Sequence, residues 1–248
     1  MQLLIDVGNS RIKWAYSQNG KLERHGAAVH QGHIPAEAVT AWLESPTPQC
    51  VVAANVAGSD YAKQLNAWVQ QHWQLQVEFL KVDASILEPA YAEPERLGID
   101  RWLVLVAAQQ LSSGTVAVID AGTALTLDII SAEGKHLGGI VIPGLELMST
   151  SLQQKASGVD SSVEGNGIDP SDLLGKDTRS CIEKGSLYAV TGAIEHVFHR
   201  FGVPPEGEVF SVVICGGNAG QVMAELNSEC KHVPDLVFQG MQIVKGGC

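Results

Sequence analysis

Leu3-Leu4-Ile5-Asp6-Val7-Gly8-Asn9-Ser10 and Ala117-Val118-Ile119-Asp120-Ala121-Gly122-Thr123-Ala124 follow one pattern, an apolar strand that ends in Asp-x-Gly and a polar residue. The agreement runs on without a gap. Asn19-Gly20-Lys21 and Glu133-Gly134-Lys135 stand at the same offset behind the two aspartates, each between segments able to be strands. Internal repetition of this kind constrains architecture more than any single motif. It predicts one β-hairpin used twice.

The halves stay parallel further out. Cys50-Val51-Val52-Ala53-Ala54 precedes a helical stretch from Tyr61 to Trp73 and a strand from Gln76 to Val82. Val209 to Ile214 likewise precedes a helix near Gly220 to Asn227 and a strand near Leu236. Each half reads as a meander of strands followed by βαβ-like units, so the class is α/β. The expected organisation is two similar domains, residues 1–112 and 113–248, facing each other across a cleft. The seam falls near Ser112-Ser113-Gly114, after a largely apolar helix from about Leu97 to Leu111.

Bulk properties fit this picture. A chain of 248 residues with 45% hydrophobic and 17% charged content can bury two modest cores and does not read as disordered. Met1-Gln2-Leu3-Leu4-Ile5-Asp6 has no basic flank, and apolar runs such as Trp102 to Ala108 are too short to span a bilayer. The expected location is therefore cytoplasmic, with no membrane partner. Five cysteines, odd in number and without a C-x-x-C pair, indicate neither a disulfide framework nor a zinc site and are read as reduced, mostly structural thiols. With a formal charge of −11 and 16 scattered basic residues, no nucleic-acid surface is expected. His196 and His199, and His30 and His33, are read as ordinary surface or core histidines, lacking acidic or cysteine partners nearby. Trp14, Trp42, Trp68, Trp73 and Trp102 are read as core.

Two turns carry the chemistry. Gly8, with small polar Asn9 and Ser10, lets backbone N–H groups approach a phosphate, and Asp6 at the strand end can hold a divalent metal ion, directly or through water. Lys13 lies just beyond and offsets phosphate charge. In the second copy Gly122, Thr123 and Thr126 can form the opposite jaw, with Asp120 as a second carboxylate. The pair makes a clamp for a triphosphate. Neither G-x-x-x-x-G-K-[ST] nor the protein-kinase motif set occurs, which disfavours P-loop enzymes and protein kinases. The remaining match is to the actin and sugar-kinase superfamily. It implies duplicated actin-like ATPase domains of ribonuclease H-like fold around a nucleotide cleft. In that superfamily a glycine pair comparable to Gly216-Gly217 lies against the adenosine.

A narrower resemblance comes from Tyr91-Ala92-Glu93-Pro94-Glu95-Arg96-Leu97-Gly98-Ile99-Asp100-Arg101, which is similar to the Y-x-x-P-x-x-L-G-x-D-R segment of type III pantothenate kinases. Asp6 to Lys13, Asp120 to Thr126, Gly138 to Gly144, and Asp177-Thr178 leading to Ile182 and Gly185 resemble the same family, in order along the chain. The resemblance implies ATP-dependent phosphorylation of pantothenate to 4′-phosphopantothenate, the first committed step toward coenzyme A.

It also implies roles for individual residues. Asp6, Val7, Gly8, Asn9, Ser10, Arg11, Ile12, Lys13 and Thr123 would bind ATP with Mg2+ or another divalent metal. Asp120 would bind a monovalent cation, potassium or ammonium, and Asp100 would be the catalytic base. Tyr91, Gly98, Ile99, Asp100, Arg101 and Thr178 would line the pantothenate site of a homodimer. Asp100 and Arg101 open an apolar helix whose dipole favours an ionised carboxylate there. Arg101 suits an anion such as the pantothenate carboxylate. Taken alone, Thr178 reads as a helix N-cap. The chain departs from the family at Lys155-Ala156, where Thr-Ala is common, and at Cys181, where alanine is usual. The rivals are a kinase for another small hydroxyl compound and a nucleotide-binding regulator without turnover.

Overall fold

The computed structural model of the chain describes residues 1–155, 172–202 and 209–246. Both copies of the repeat are hairpins. The first half runs β1 (Gln2–Val7), β2 (Arg11–Gln18), β3 (Lys21–Val29), α1 (Ala36–Leu43), β4 (Cys50–Asn55), α2 (Ser59–Trp73), β5 (Val77–Phe79) and, after a 3₁₀ turn at Pro94–Arg96, α3 (Ile99–Gln109). The second runs β6 (Thr115–Ala121), β7 (Ala124–Ile130), β8 (His136–Pro143), α4 (Leu145–Lys155), α5 (Thr178–Phe201), β9 (Phe210–Cys215), α6 (Ala219–Glu225), β10 (Cys230–His232) and α7 (Leu236–Lys245).

The sheets are ordered β3-β2-β1-β4-β5 and β10-β9-β6-β7-β8. With β6 matched to β1, the second is the first read backwards, so the topology is the same. In each, the leading strand pairs antiparallel with its hairpin partner and parallel with the strand of the following βαβ unit. Strands paired on both sides and covered on both faces must be apolar along their length. β1 accordingly is buried throughout.

The chain forms two compact units. The first holds Met1–Leu111 with Gly134–Gly138 and Asp235–Cys248, and the second holds Ser112–Glu133 and Gly139–Pro234. In the first, Leu3, Ile5 and Val7 of β1 join Trp42, Tyr61, Leu65 and Val69 of α1 and α2 in one core. Trp14 and Trp42 pack edge to face within it, and the partly buried Trp68 and Trp73 extend that packing against it. In the second, Ala117, Ile119 and Ala121 of β6 pack with Val190, Ile194 and Phe198 of α5 and Val222 of α6.

Two expectations are corrected here. Leu236-Val237-Phe238 starts helix α7, and the second half's last strand is the short Cys230–His232. An apolar run alone does not distinguish a strand from a buried helix turn. What decides is burial of Leu236, Val237, Phe238, Gly240 and Met241 on one helix, with Gly240 so close to the Leu103 backbone of α3 that a Cβ there would overlap it. Cys181, Cys215 and Cys230 are free thiols, but Cys50 is disulfide-bonded. Pairing depends on which Cβ atoms the fold brings within about 4 Å, and spacing in sequence carries no such information. Among the described residues no helix is long and apolar enough to cross a membrane.

Candidate active site

The first turn is held from three sides. β1 and β2 pair so that Asp6 stands opposite Lys13 and Val7 opposite Ile12. Cross-strand neighbours at this range interact directly, and Lys13 Nζ lies 3.8 Å from Asp6 Oδ2. Gly8 N–H donates to Arg11 O at 2.9 Å, closing the turn. A Cβ on Gly8 would come within 3.2 Å of that same oxygen. The third support comes from beyond β3: His30 Nε2 lies 2.8 Å from Gly8 O, and His30 N–H donates to Ser10 O at 3.0 Å. Asn9 and Arg11 are exposed, whereas Val7 and Ile12 are fully buried in the core. Those two can reach a ligand only through their backbone.

The second turn is one residue shorter, because Ala121 pairs with Leu125, and Asp120 therefore faces Thr126. Its carbonyls are taken by backbone donors: Asn218 N–H donates to Ala121 O at 3.0 Å and Gly144 N–H to Thr123 O at 2.9 Å. Gly216 adopts φ +93°, and a Cβ on it would lie 2.6 Å from both Ala121 O and Asp120 Oδ1. Gly122 is the other open side, where a Cβ would lie 3.5 Å from Asp120 Oδ1. The Asp120 carboxylate thus lies against a backbone that Gly216 alone leaves room for, since a Cβ on Gly122 would make only ordinary contact. Gly216 is required by this packing within the protein, while Gly217 faces open space. Thr123 is exposed at the turn's tip.

A third cluster gathers at the start of α3. Gly98 is the N-cap and Asp100 lies in the first turn. Asp100 Oδ1 accepts the Arg101 N–H at 2.8 Å, so the carboxylate folds back over the helix end. Gly98 permits this, since a Cβ there would lie 2.5 Å from Asp100 Oδ1. Arg101 Nη1 donates to the Tyr91 hydroxyl at 3.0 Å, with the guanidinium carbon 5.9 Å from the ring centre. The connecting loop is pinned by Trp102 Nε1–H donating to Leu87 O at 2.9 Å and by Ala90 N–H donating to His136 Nδ1 at 3.2 Å.

A family model described as type III pantothenate kinase matches residues 2–200. A Nitrosococcus oceani protein named type III pantothenate kinase is 41% identical, over 97% of this chain and 92% of its own. One from Dichelobacter nodosus with the same name is 32% identical, over 97% and 96%. The chain belongs to the type III pantothenate kinase family.

Solved structures carry the fold. A Campylobacter jejuni protein described as a Baf family transcriptional activator superposes with TM-score 0.60 at 19% identity, over 98% of this chain and 96% of its own. The activator of 2-hydroxyisocaproyl-CoA dehydratase from Clostridium difficile, with bound ADPNP, superposes with TM-score 0.52 at 11% identity, over 96% and 91%. The α/β architecture of two actin-like domains expected from the repeat is thereby borne out.

Within this pantothenate kinase family member, the structure gathers Tyr91, Gly98, Ile99, Asp100 and Arg101 in the first unit, where the Asp6–Lys13 turn also lies. Ile99 is buried, leaving its backbone as the accessible part. Thr123, Asp120 and Thr178 belong to the second unit. Thr178 is not the helix cap: Asp177 is, accepting Ser180 N–H at 2.9 Å in a reciprocal capping box. That backbone bond, then the Ser180 hydroxyl, lowers the Asp177 carboxyl below its ordinary range. Thr178 is left exposed on a concavity of about 590 Å³ shared with Lys176, Cys181 and Ile182. Ala156, of the Lys155-Ala156 departure, lies outside the described residues. Among the described residues no three His, Cys, Asp or Glu side chains converge on a metal position. His30, read from sequence as a surface or core histidine, is buried, and its bonds to the first turn were not foreseen. The signal was that His30 stands at the same offset from Asp6 as Gly144 from Asp120.

Proposed function

We propose that this chain is an ATP-dependent kinase that phosphorylates the hydroxyl of pantothenate to give 4′-phosphopantothenate, the first step of coenzyme A biosynthesis. The observation that carries the proposal is the Tyr91–Arg101 cluster, in which a glycine-permitted carboxylate and a tyrosine-held guanidinium share one helix start. In this reading Asp100 accepts the proton of the substrate hydroxyl while that oxygen attacks the γ-phosphorus. The bond to the β,γ-bridging oxygen breaks, and ADP leaves with that electron pair. Arg101, steadied by Tyr91, meets the pantothenate carboxylate, and Gly98 and Ile99 complete the acceptor side of this unit. Backbone N–H groups of Gly8 to Arg11, with Lys13, hold the phosphates. In phosphoryl transfer such positioning and charge neutralisation do most of the work.

The Gly216 backbone beside Asp120 and the strand-end carboxylate of Asp6 fit bound cations. A divalent metal such as Mg2+ at Asp6 and potassium or ammonium at Asp120 would supply positive charge to the phosphate oxygens. The division at residues 112 and 113 marks the two copies of the repeat. A cytoplasmic homodimer completes the reading.

The test is ATP-dependent phosphopantothenate formation by the purified chain, with and without potassium, beside Asp100→Asn. Turnover that rises with potassium, and a loss of about 10² to 10⁴ in rate in the variant, is the expected result for a general base. ATP binding without transfer to pantothenate would instead favour a kinase for another hydroxyl compound or a regulator.

A further inference from the structure

The His30 ring is oriented without ambiguity by its neighbours. Gly32 N–H, which can only donate, points at His30 Nδ1 at 3.2 Å, so Nδ1 is an acceptor and the neutral ring carries its proton on Nε2. That proton is donated to Gly8 O at 2.8 Å. The ring is buried, and it packs on Tyr61 with centroids 4.7 Å apart. Burial pushes the Tyr61 phenol up to about 12, so the neighbour that the imidazole rests on is uncharged. Gln64 Nε2 donates to Gly32 O at 3.1 Å, fixing the acceptor's own loop.

His30 therefore holds both ends of the first turn, Gly8 O by its ring and Ser10 O by its backbone N–H. A trans peptide is planar with its C=O and N–H opposed. Drawing those two carbonyls toward His30 turns the Asn9 and Arg11 N–H groups the other way, together, as anion-binding turns require. The second copy shows that a hairpin of this topology does not need the ring. Gly144, at the equivalent place, makes the same backbone donation to Thr123 O with no side chain.

We propose that His30 is a positioning residue for nucleotide binding, setting the two peptide planes whose Asn9 and Arg11 N–H groups meet the phosphates of ATP. The role rests on the reading of the Asp6–Lys13 hairpin as the ATP site.

Three variants of the full chain test it: His30→Leu, which keeps volume and loses both ring bonds, His30→Gln, which keeps a donor, and Val69→Ala, a core change in α2. Affinity for Mg-ATP is read by displacement of a fluorescent ATP analogue, and KM is measured separately for ATP and pantothenate. His30→Leu is expected to raise the ATP Kd and KM about tenfold, one hydrogen bond's worth, and to leave the pantothenate KM within about twofold. His30→Gln is expected to return to within about threefold of wild type, and Val69→Ala to bind ATP normally despite a lower Tm. Wild-type ATP affinity in His30→Leu, or an equal loss in Val69→Ala, would overturn the proposal. If His30→Leu does not fold, the ¹⁵N spectrum of the wild-type imidazole decides, with a protonated Nδ1 overturning the role and a protonated Nε2 upholding it. If the wild type binds ATP but leaves pantothenate untouched, the kinase reading fails while the ATP affinities still judge His30. A wild type that binds no ATP overturns both.

Discussion

The turns after Asp6 and Asp120 share a sequence pattern and a strand order, yet they are finished differently. In the first, Val7 pairs with Ile12, and in the second Ala121 pairs with Leu125. That one-residue shortening shifts every partner downstream. The sequence repeat aligns Lys13 with Leu127, but the residue opposite Asp120 is Thr126. So the first aspartate has a cation across the strand and the second has a neutral hydroxyl. The bracing differs too: a histidine ring and Val56 N–H hold the first turn, whereas Gly144 and the Gly216–Asn218 loop hold the second. A carboxylate beside lysine suits gripping phosphate together with a metal. One walled by glycine backbone suits a simple cation. Duplication supplies the scaffold, and turn length with its braces sets the two turns apart.

The largest effect that would break this contrast is at Gly216. Gly216→Val must place a β-branched side chain at φ +93° against the Ala121 backbone, and a loss of about 3 kcal/mol or more in unfolding free energy is expected by urea denaturation. Gly8→Ala meets only Arg11 O at 3.2 Å with no left-handed strain, and should cost under about 1 kcal/mol. Equal losses would show the turns to be braced alike. Next, Asp6→Asn is expected to lower kcat/KM for ATP about 10²-fold, whereas Asp120→Asn should act mainly by abolishing the response to potassium. Titrations with ATP and with potassium separate the two, and exchanged phenotypes would reverse the assignment.

Smaller still, Lys13→Met should raise KM for ATP about tenfold, while Thr126→Val, at the matching register position, should change it less than about threefold. The least is expected at Gly20→Ala, which strains the Asn19-Gly20 turn, where φ is +51° and +77°. It should cost about 1 kcal/mol in stability with activity unchanged.

Much of this was legible beforehand because it is local. Asn-Gly between alternating strands predicts a two-residue turn with two positive φ values, and that is what joins β2 to β3. The helix expected from Leu97 to Leu111 runs Ile99–Gln109, and the one expected from Tyr61 to Trp73 begins only two residues earlier. The Tyr91 to Arg101 cluster was visible because all its members lie within one short segment. The His30 brace, the Gly216 cradle and the Cys50 disulfide were not, since each joins residues far apart in sequence. The strand expected near Leu236 failed for a related reason. Its apolar residues are those of a helix that packs on α3, and the partner face was not in view.

By itself, then, the sequence determined the duplicated α/β plan, the two Asp-x-Gly turns and the Tyr91–Arg101 motif, because strand alternation, turn chemistry and contiguous motifs are set within a few residues. Tertiary structure alone decided which side chain faces each aspartate, which donors hold each turn, and where the last helix lies. These depend on register and close approach, and a one-residue change in a turn alters the first while a missing Cβ permits the second.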